Sequence, residues 1–420
     1  MAEVVDVDSH VYEPAALWDD YVPAADREAV LQAFSSRVDE DGTVTTTLNG
    51  RPAKGLNRSR IVRQAIWRPG VTVDEIGALD PNVGHPLNPG AWDPAARLAD
   101  MDRMGVDRAV VYPTLLNEYL PQIVDRDAAV VLCRAYNDWI SEFAAAGSGR
   151  LHPVGVLPLQ DPAAAIEELV RIHGRGIGAA LLRPAFYQVE DASSSVGAQM
   201  VRRMAQQGVG AETEASAIPV FVEDRPFRPV FERCAELGVV ACIHPSSNVT
   251  GADAVSSGGF AERVSGRLGV NHSIVEPVAY MQDAELFVTT AFFHGLFEDL
   301  PDLPVAIAHS GTTWVPLALE KCETYLWLGG QGGVPVCLEP EEVWERQRIA
   351  TSFDSWELPV ARMVDRIGDK AAWGSRYPQH DTGTPDEARR MLESHGVEAS
   401  TIDRLLGGHA ADIFGLPVTV

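Results

Sequence analysis

Lysine is scarce in this chain, and long apolar runs are missing. Only three lysines occur among the 420 residues (Lys54, Lys321 and Lys370), and none follows a convincing strand. We therefore do not expect a Schiff-base lysine or a carbamylated lysine that bridges two metals. No apolar run is long enough to span a bilayer, and the first residues lack the basic and apolar regions of a signal peptide. These absences predict a cytoplasmic protein with no membrane partner.

Cysteines are few, and nucleotide-binding motifs are missing. The five cysteines are widely spaced and form no C-x-x-C pair: Cys133, Cys234, Cys242, Cys322 and Cys337. This pattern indicates reduced, mostly buried thiols. No G-x-G-x-x-G or P-loop follows a predicted strand, which makes a nucleotide-binding doubly wound sheet the weaker alternative. The formal net charge of −25 opposes binding to nucleic acid or anionic membranes.

Short apolar segments alternate with helical patterns along most of the chain. Eight segments are predicted as strands, at residues 4–8, 108–113, 151–158, 179–184, 239–244, 305–309, 349–353 and 371–374. This alternation is typical of a parallel sheet, and eight strands predict an α/β fold of the (β/α)₈ TIM-barrel type. Residues 15–92 have no strong helical period and contain a predicted hairpin at 36–51. We interpret 1–420 as a single barrel domain with an irregular insertion at about 15–92, which covers one mouth of the barrel.

Polar side chains follow several of the predicted strands directly. Asp8 and His10 end the first strand and are two residues apart, so they project from the same face. His244 ends the fifth strand and His309 ends the sixth, each after an apolar run. The carboxyl ends of barrel strands meet at one mouth, so the pattern predicts a shared site for a divalent cation. The alternative for Asp8 and His10 is a pair that only caps the turn.

These residues belong to a longer series of motifs with a known counterpart. The series comprises Asp8-x-His10 with Glu13-Pro14 and Trp18, Asp93-Pro94, Arg97-Leu98, Asp102, Gly105-Val106-Asp107, Tyr112-Pro113, His244-Pro245 and His309-Ser310-Gly311. It resembles the amidohydrolase-2 branch of the amidohydrolase superfamily, which includes the aminocarboxymuconate-semialdehyde decarboxylase and γ-resorcylate decarboxylase types. The resemblance implies a barrel with one divalent metal, zinc or manganese. It also implies Asp8, His10 and His244 as metal ligands and His309 as the catalytic histidine beside them.

The chain departs from this family after the eighth strand. The family usually has Gly-Ser-Asp-Tyr-Pro-His there with a metal-binding aspartate, but this chain reads Gly-Ser-Arg376-Tyr-Pro-Gln-His380-Asp381. A guanidinium cannot bind a cation. The metal could stay on Asp8, His10 and His244 while Arg376 holds a substrate carboxylate. Alternatively, His380 or Asp381 could replace the lost ligand, or no metal is bound and Asp8 pairs with Arg376.

The resemblance favours a metal-dependent lyase or hydrolase, most of all a decarboxylase that acts on a small carboxylated aromatic or cyclic substrate. In this hypothesis Asp8, His309 and Arg376 serve catalysis, and the metal ligands are Asp8, His10, His244 and Asp381. The substrate-binding candidates are Arg376, Arg183, Glu13 and His380. The alternative is a metal-free barrel enzyme that carries out a cyclisation, elimination or rearrangement by acid–base catalysis. Amphipathic helices outside the barrel favour a homo-oligomer, with a dimer expected.

Overall fold

Eight parallel strands follow one another around the barrel in the order of the chain. They are β1 (Val5–His10), β2 (Arg108–Tyr112), β3 (Leu151–Val156), β4 (Ala179–Leu182), β5 (Val240–Ile243), β6 (Val305–Ile307), β7 (Ile349–Phe353) and β8 (Ala371–Trp373). These elements are those of a computed structural model, which describes residues 2–39, 42–52, 60–182, 185–189, 217–222, 225–245, 272–330 and 339–416. The predicted (β/α)₈ barrel is confirmed.

The seam between the last and first strands is closed by hydrogen bonds just beyond β8. The amide of Arg376 donates to the carbonyl of Asp8 at 2.7 Å, and the amide of His10 donates to the carbonyl of Tyr377 at 2.6 Å. Ser375 adds two bonds to the buried carboxylate of Asp6. The segment after β8 is therefore fixed against the strand that carries Asp8 and His10.

Helices alternate with the barrel strands, as the sequence predicts. The α-helices are Ala15–Tyr21, Arg27–Ala33, Val73–Gly77, Pro94–Met104, Leu115–Tyr119, Arg126–Ala145, Pro162–Gly174, Arg228–Leu237, His272–Phe293, Leu296–Asp299, Val315–Gly330, Pro340–Arg346, Leu358–Arg362, Val364–Ile367, Pro385–Ser394, Ala399–Asp403 and His409–Phe414. A π-helical turn, Arg404–Gly408, joins the last two. Two helices begin at Asp-Pro pairs, where the side chains of Asp93 and Asp161 accept hydrogen bonds from backbone amides of the first turn.

The segment between β1 and β2 contains the predicted hairpin and borders the β8 end of the barrel. Strands Phe34–Val38 and Val44–Leu48 pair antiparallel, and Arg51–Pro52 adds a third short strand. Further along, the amide of Trp67 donates to the carbonyl of Pro378 at 3.1 Å. This part of the chain therefore lies against the loop that follows β8.

The helical segment before β6 is divided in two. It comprises His272–Phe293 and Leu296–Asp299, with a left-handed Gly295 between them. Leu286 and Phe293 of this segment are exposed, whereas the neighbouring Phe287 and Phe292 are buried. Apolar residues on both sides of the helix concealed which face packs against the barrel.

A second short sheet lies outside the barrel, where Ala185–Val189 pairs antiparallel with Ala217–Phe221. Cys133, Cys234, Cys242 and Cys322 are buried, as expected, and form no disulfide within the described residues; Cys337 lies outside those residues. Within the described parts of the chain, no helix has the length and apolar content that crossing a membrane requires.

Candidate active site

The carboxyl ends of β1, β5 and β6 bring four predicted site residues together. Asp8, His10, His244 and His309 each offer one ligand atom, and these atoms all lie within 4.8 Å of one another. All four side chains are buried, with at most 5% of any residue exposed. We call these four residues the ligand cluster.

Asp8 is at the centre of the ligand cluster. Its Oδ1 lies 3.0 Å from His10 Nε2 and 3.6 Å from His244 Nε2, and its Oδ2 lies 3.3 Å from His309 Nδ1. Burial acts to raise the pKa of Asp8, but its interactions with the three imidazoles outweigh burial and hold that pKa well below its usual range. Asp8 is therefore a carboxylate surrounded by nitrogen ligands.

Backbone carbonyls fix the orientation of two imidazoles in the cluster. His10 Nδ1 lies 3.2 Å from the carbonyl of Pro113, and His244 Nδ1 lies 2.7 Å from the carbonyl of Pro245. A carbonyl can only accept, so these contacts place a proton on each Nδ1 and turn each Nε2 toward Asp8, the edge of the ring that a cation would contact. Burial lowers the pKa of His244 to about 3, which keeps that ring neutral.

This arrangement fits a divalent cation. The Nε2 atoms of His10 and His244 are 3.3 Å apart, and Asp8 Oδ1 lies within 3.6 Å of both. His309 Nδ1 is also buried and makes no hydrogen bond within the described residues. Buried lone pairs that face one another beside a carboxylate are the donor set of zinc and related ions, with the outer nitrogens held by carbonyls.

Arg376 does not pair with Asp8. Its terminal nitrogens donate to Asp381 Oδ2 at 2.5 Å and to Asp354 Oδ2 at 2.7 Å. The guanidinium carbon also lies 5.6 Å from the ring centre of Trp356. Of the three alternatives for Arg376, the ion pair with Asp8 is therefore not formed in this structure, because the terminal nitrogens bind two other carboxylates.

His309 and Arg376 share an unusual backbone conformation next to the cluster. Their φ angles are 60° and 62°, in the left-handed region that residues with a Cβ rarely adopt. Such a residue costs about 1–3 kcal/mol and persists only where surrounding contacts enforce it. At Arg376 these contacts include the amide bond to the Asp8 carbonyl. The left-handed conformation therefore occurs at two residues, His309 and Arg376, that lie just after barrel strands.

Other predicted site residues lie outside the ligand cluster. Asp381 is paired with Arg376 and is not part of the ligand cluster, so its role as a metal ligand stays a prediction. Glu13 is buried, and its carboxylate accepts hydrogen bonds from the amides of Leu115 and Leu116 at 2.9 Å each. It caps the helix Leu115–Tyr119 and does not present its oxygens to a substrate. His380 is partly exposed, with Nδ1 3.8 Å from Asp381 Oδ1. Arg183 lies outside the described residues.

Sequence reasoning missed three residues that support the site. Asp354 and Trp356 follow β7 and contact Arg376. The signal for Asp354 was present, because this acidic residue comes directly after a buried strand, as His244 does. Asn117 was also missed; its side-chain amide lies 3.0 Å from His244 Nδ1. No local sequence pattern marks Asn117, since it reaches the site from a helix that follows β2.

Comparisons with known proteins agree with this geometry. Residues 83–416 match the Amidohydro_2 family of amidohydrolases. The 2-amino-3-carboxymuconate-6-semialdehyde decarboxylase of Dictyostelium discoideum is 23% identical over 338 residues, which cover 79% of this chain and 79% of that protein. The crystal structure of an amidohydrolase from Mycobacterium avium subsp. paratuberculosis has a TM-score of 0.71 at 19% identity and covers 99% of both chains. A dihydroxybenzoic acid decarboxylase from Polaromonas sp. JS666, with bound manganese and the inhibitor 2-nitroresorcinol, has a TM-score of 0.61 at 16% identity and covers 99% of this chain and 98% of that one. The family match spans most of the sequence, and this chain therefore belongs to the amidohydrolase family of enzymes.

Proposed function

We propose that this protein is a metal-dependent decarboxylase that acts on a small carboxylated aromatic or cyclic compound. The observation that carries the proposal is the ligand cluster, a buried set of one carboxylate and three imidazoles at the mouth of the barrel. The decarboxylases of Dictyostelium discoideum and Polaromonas sp. support the reaction type by their similarity to this chain. The carboxylated substrates in their names support the substrate class.

Asp8, His10 and His244 would hold the metal, and His309 Nδ1 is in reach as a fourth donor. A bound divalent cation would supply a Lewis acid that draws electron density from substrate oxygens. The imidazole-rich donor set favours zinc, and the manganese in the Polaromonas structure favours manganese. Metal analysis of the purified protein distinguishes the two ions.

The chain's own residues would prepare the substrate for loss of CO₂. The burial of Asp8, His10 and His244 excludes water from the centre of the site, which strengthens every electrostatic interaction there. His309 remains a candidate for proton exchange with the substrate, as the sequence predicts. Arg376 is not proposed as a clamp for the substrate carboxylate, because both terminal nitrogens are already paired. Arg183, which follows β4, remains the candidate for that role.

The experiment combines metal analysis with a CO₂-release assay. Protein expressed with added zinc or manganese should contain about one metal per chain and release CO₂ from at least one hydroxybenzoate, such as 2,6-dihydroxybenzoate. His244→Ala should lose both metal and activity, because it removes a ligand whose outer nitrogen is fixed by the carbonyl of Pro245. His395→Ala, at an exposed histidine outside the cluster, is the matched control and should keep both. A metal-loaded wild type that is inactive on a broad panel of hydroxybenzoates and related carboxylates would contradict the proposal.

A metal-free enzyme is the second candidate, and Arg376 is the observation that favours it, since it occupies the position of the family's metal-binding aspartate. In that case the cluster would carry out acid–base catalysis of a cyclisation, elimination or rearrangement. Protein that binds no metal after expression with zinc or manganese, with all four cluster residues intact, would support this candidate over the first.

A homodimer is also part of the proposal. The helix Val315–Gly330 exposes Leu317, Tyr325, Trp327 and Leu328, each more than half accessible. Exposed apolar side chains on one helix are typical of a surface that another copy covers. Light scattering of the purified protein would test it, and the mass of a single chain would contradict it.

A further inference from the structure

Arg376 connects two carboxylates beside the ligand cluster, and the pair is asymmetric. Asp381 follows β8 along the chain and Asp354 follows β7, so the guanidinium ties the ends of two neighbouring strands together. The side chain of Arg376 is only 15% exposed, and those of Asp354 and Asp381 are 16% and 25% exposed. One guanidinium offsets the charge of only one carboxylate. The other carboxylate is buried without a counter-charge, which favours its protonated form.

The environments of Asp354 and Asp381 determine which of the two carboxyl groups holds the proton. Burial acts to raise the pKa of Asp381, but Arg376, His380 and His309 outweigh it and lower that pKa to about 2. Burial raises the pKa of Asp354 to about 7, against the opposing effect of Arg376. Glu357, Asp381 and Asp8 are the acids near Asp354, and their negative charges raise its pKa further. Neighbouring titratable groups whose pKa values are pushed apart in this way are typical of an acid and its fixed counter-ion.

Asp354 also has a free hydrogen-bonding atom. Its Oδ2 accepts from Arg376, while its Oδ1 makes no hydrogen bond within the described residues. It lies at the carboxyl end of a barrel strand, where the active sites of barrel enzymes are found. His309, the other candidate, directs Nδ1 at Asp8 within the ligand cluster. A nitrogen that binds a cation carries no proton, so a metal-bound His309 could not donate one from Nδ1.

The geometry points to Asp354 as the group that delivers a proton to the substrate carbon, with Arg376 and Asp381 as the residues that position it. This inference rests on the proposed decarboxylase function. The bond between the ring carbon and the carboxylate breaks, its electron pair stays on the ring carbon, and CO₂ leaves. The ring carbon takes the proton of the Asp354 carboxyl group, and the resulting carboxylate regains a proton from water.

The first test measures the protonation of Asp354 directly. Carbon NMR of zinc-loaded protein with labelled aspartate carboxyl groups, assigned with Asp354→Asn and Asp381→Asn, follows both residues across the pH range. We expect Asp354 to titrate close to neutral pH and Asp381 to stay ionised well into the acid range. An Asp354 that is ionised throughout the range from about pH 5 to about pH 8 would overturn the inference.

The second test uses the same two variants in turnover, because each removes the charge of one partner of Arg376 without changing side-chain size. Asp354→Asn should lower kcat by about 10²–10⁴-fold, the usual contribution of a general acid, with metal content unchanged. It should also abolish the wild-type fall in kcat above neutral pH and slow the exchange of the product's ring hydrogen with deuterated water. Asp381→Asn should keep most of the exchange and a fall in kcat, but the fall should move to lower pH, because a negative charge that raises the pKa of Asp354 is gone.

The outcomes separate this inference from the proposed function. An active wild type with an equally active Asp354→Asn variant overturns only the role of Asp354. Equal losses in both variants overturn it too, because they indicate that Arg376 and its partners act only on structure. A metal-loaded wild type that releases no CO₂ from any tested carboxylate overturns the proposed function, and the inference with it. Partial recovery of kcat and of the pH dependence in Asp354→Glu supports the inference.

Discussion

Arg97 lies behind the ligand cluster and has no exposed surface. Its Nε donates to the carbonyl of Gly90 at 2.7 Å, one terminal nitrogen donates to Ser9 Oγ at 3.0 Å, and the other donates to the carbonyl of His10. The guanidinium also stacks 4.4 Å from the ring centre of Tyr377. One side chain therefore fixes the backbone of His10 against the segment that follows β8.

We expect Arg97→Met to destabilise the protein and to weaken metal binding. The carbonyls of Gly90 and His10 each lose a donor and remain buried, which costs about 1–3 kcal/mol apiece, so the free energy of unfolding should fall by at least about 2 kcal/mol. Metal affinity should fall as well, because the backbone of His10 is no longer held. Urea unfolding and calorimetric titration with zinc measure the two effects. Arg97→Lys is the matched control. Its stability and metal affinity should lie between those of the wild type and Arg97→Met, since a single ammonium cannot reach all three acceptors. Wild-type stability in Arg97→Met would contradict this account.

β1 and the end of β8 approach each other closely beside the ligand cluster. A Cβ added at Gly374 would lie 2.6 Å from the Cβ of Asp8. That distance is too short for two carbon atoms, and Asp8 sits on a strand whose pairing with β2 already shifts register between Asp6 and Ser9. Gly374 is therefore the residue that allows the two strands to approach closely enough for Asp8 to reach the three imidazoles.

Gly374→Ala should move β1 away from β8 and reduce metal affinity without removing any ligand. The overpacking should also lower the free energy of unfolding by about 1–3 kcal/mol. Gly178→Ala is the matched control, because a Cβ there would meet nothing within 4 Å and β4 should be unaffected. Metal titration and thermal unfolding of both variants give the comparison. Equal zinc affinity in the two variants would show that the close approach does not position Asp8.

The barrel strands were predictable because each is a short buried run between helical patterns. Val240–Ile243 and Val305–Ile307 end next to the predicted histidines, and Ile349–Phe353 has the predicted bounds. The rule that strand ends meet at one mouth was enough to place Asp8, His10, His244 and His309 together.

The partner of Arg376 was not predictable from the sequence. The pattern identified Arg376 as a departure from the family, but two acids compete for it, and their positions depend on the loops after β7 and β8. The local sequence does not determine the conformation of these loops or the left-handed backbone at Arg376. Glu13 illustrates the same limit: it lies in the motif, yet its carboxylate caps a helix that begins about a hundred residues later.

At the scale of the whole molecule, two sets of buried groups among the described residues have opposite effects on stability as pH changes. Burial lowers the pKa of four histidines and raises the pKa of four carboxyl groups: His152, His244, His309, His409, Asp6, Glu13, Asp354 and Glu357. Below about pH 6.5 only the unfolded chain takes up the histidine protons, so the histidines destabilise the fold as pH falls. Above about pH 4 only the folded chain keeps the carboxyl protons, so these groups destabilise it as pH rises. Between about pH 4 and about pH 6.5 the two sets oppose each other. The free energy of unfolding of the metal-free protein should therefore change little across that range.

Single substitutions should disturb this balance in opposite directions. The pKa of His152 is lowered to about 4 and that of Asp354 is raised to about 7, so each exchanges nearly one proton on unfolding within the window. His152→Asn removes a proton that only the unfolded chain binds, so its free energy of unfolding should fall as pH rises from about 4.5 to about 6.5, by up to about 1.4 kcal/mol per pH unit. Asp354→Asn removes a proton that only the folded chain binds, so its free energy of unfolding should rise with pH by a similar amount. Urea unfolding of both variants and the wild type across this range gives the three slopes, and slopes of the same sign in the two variants would contradict the assignment.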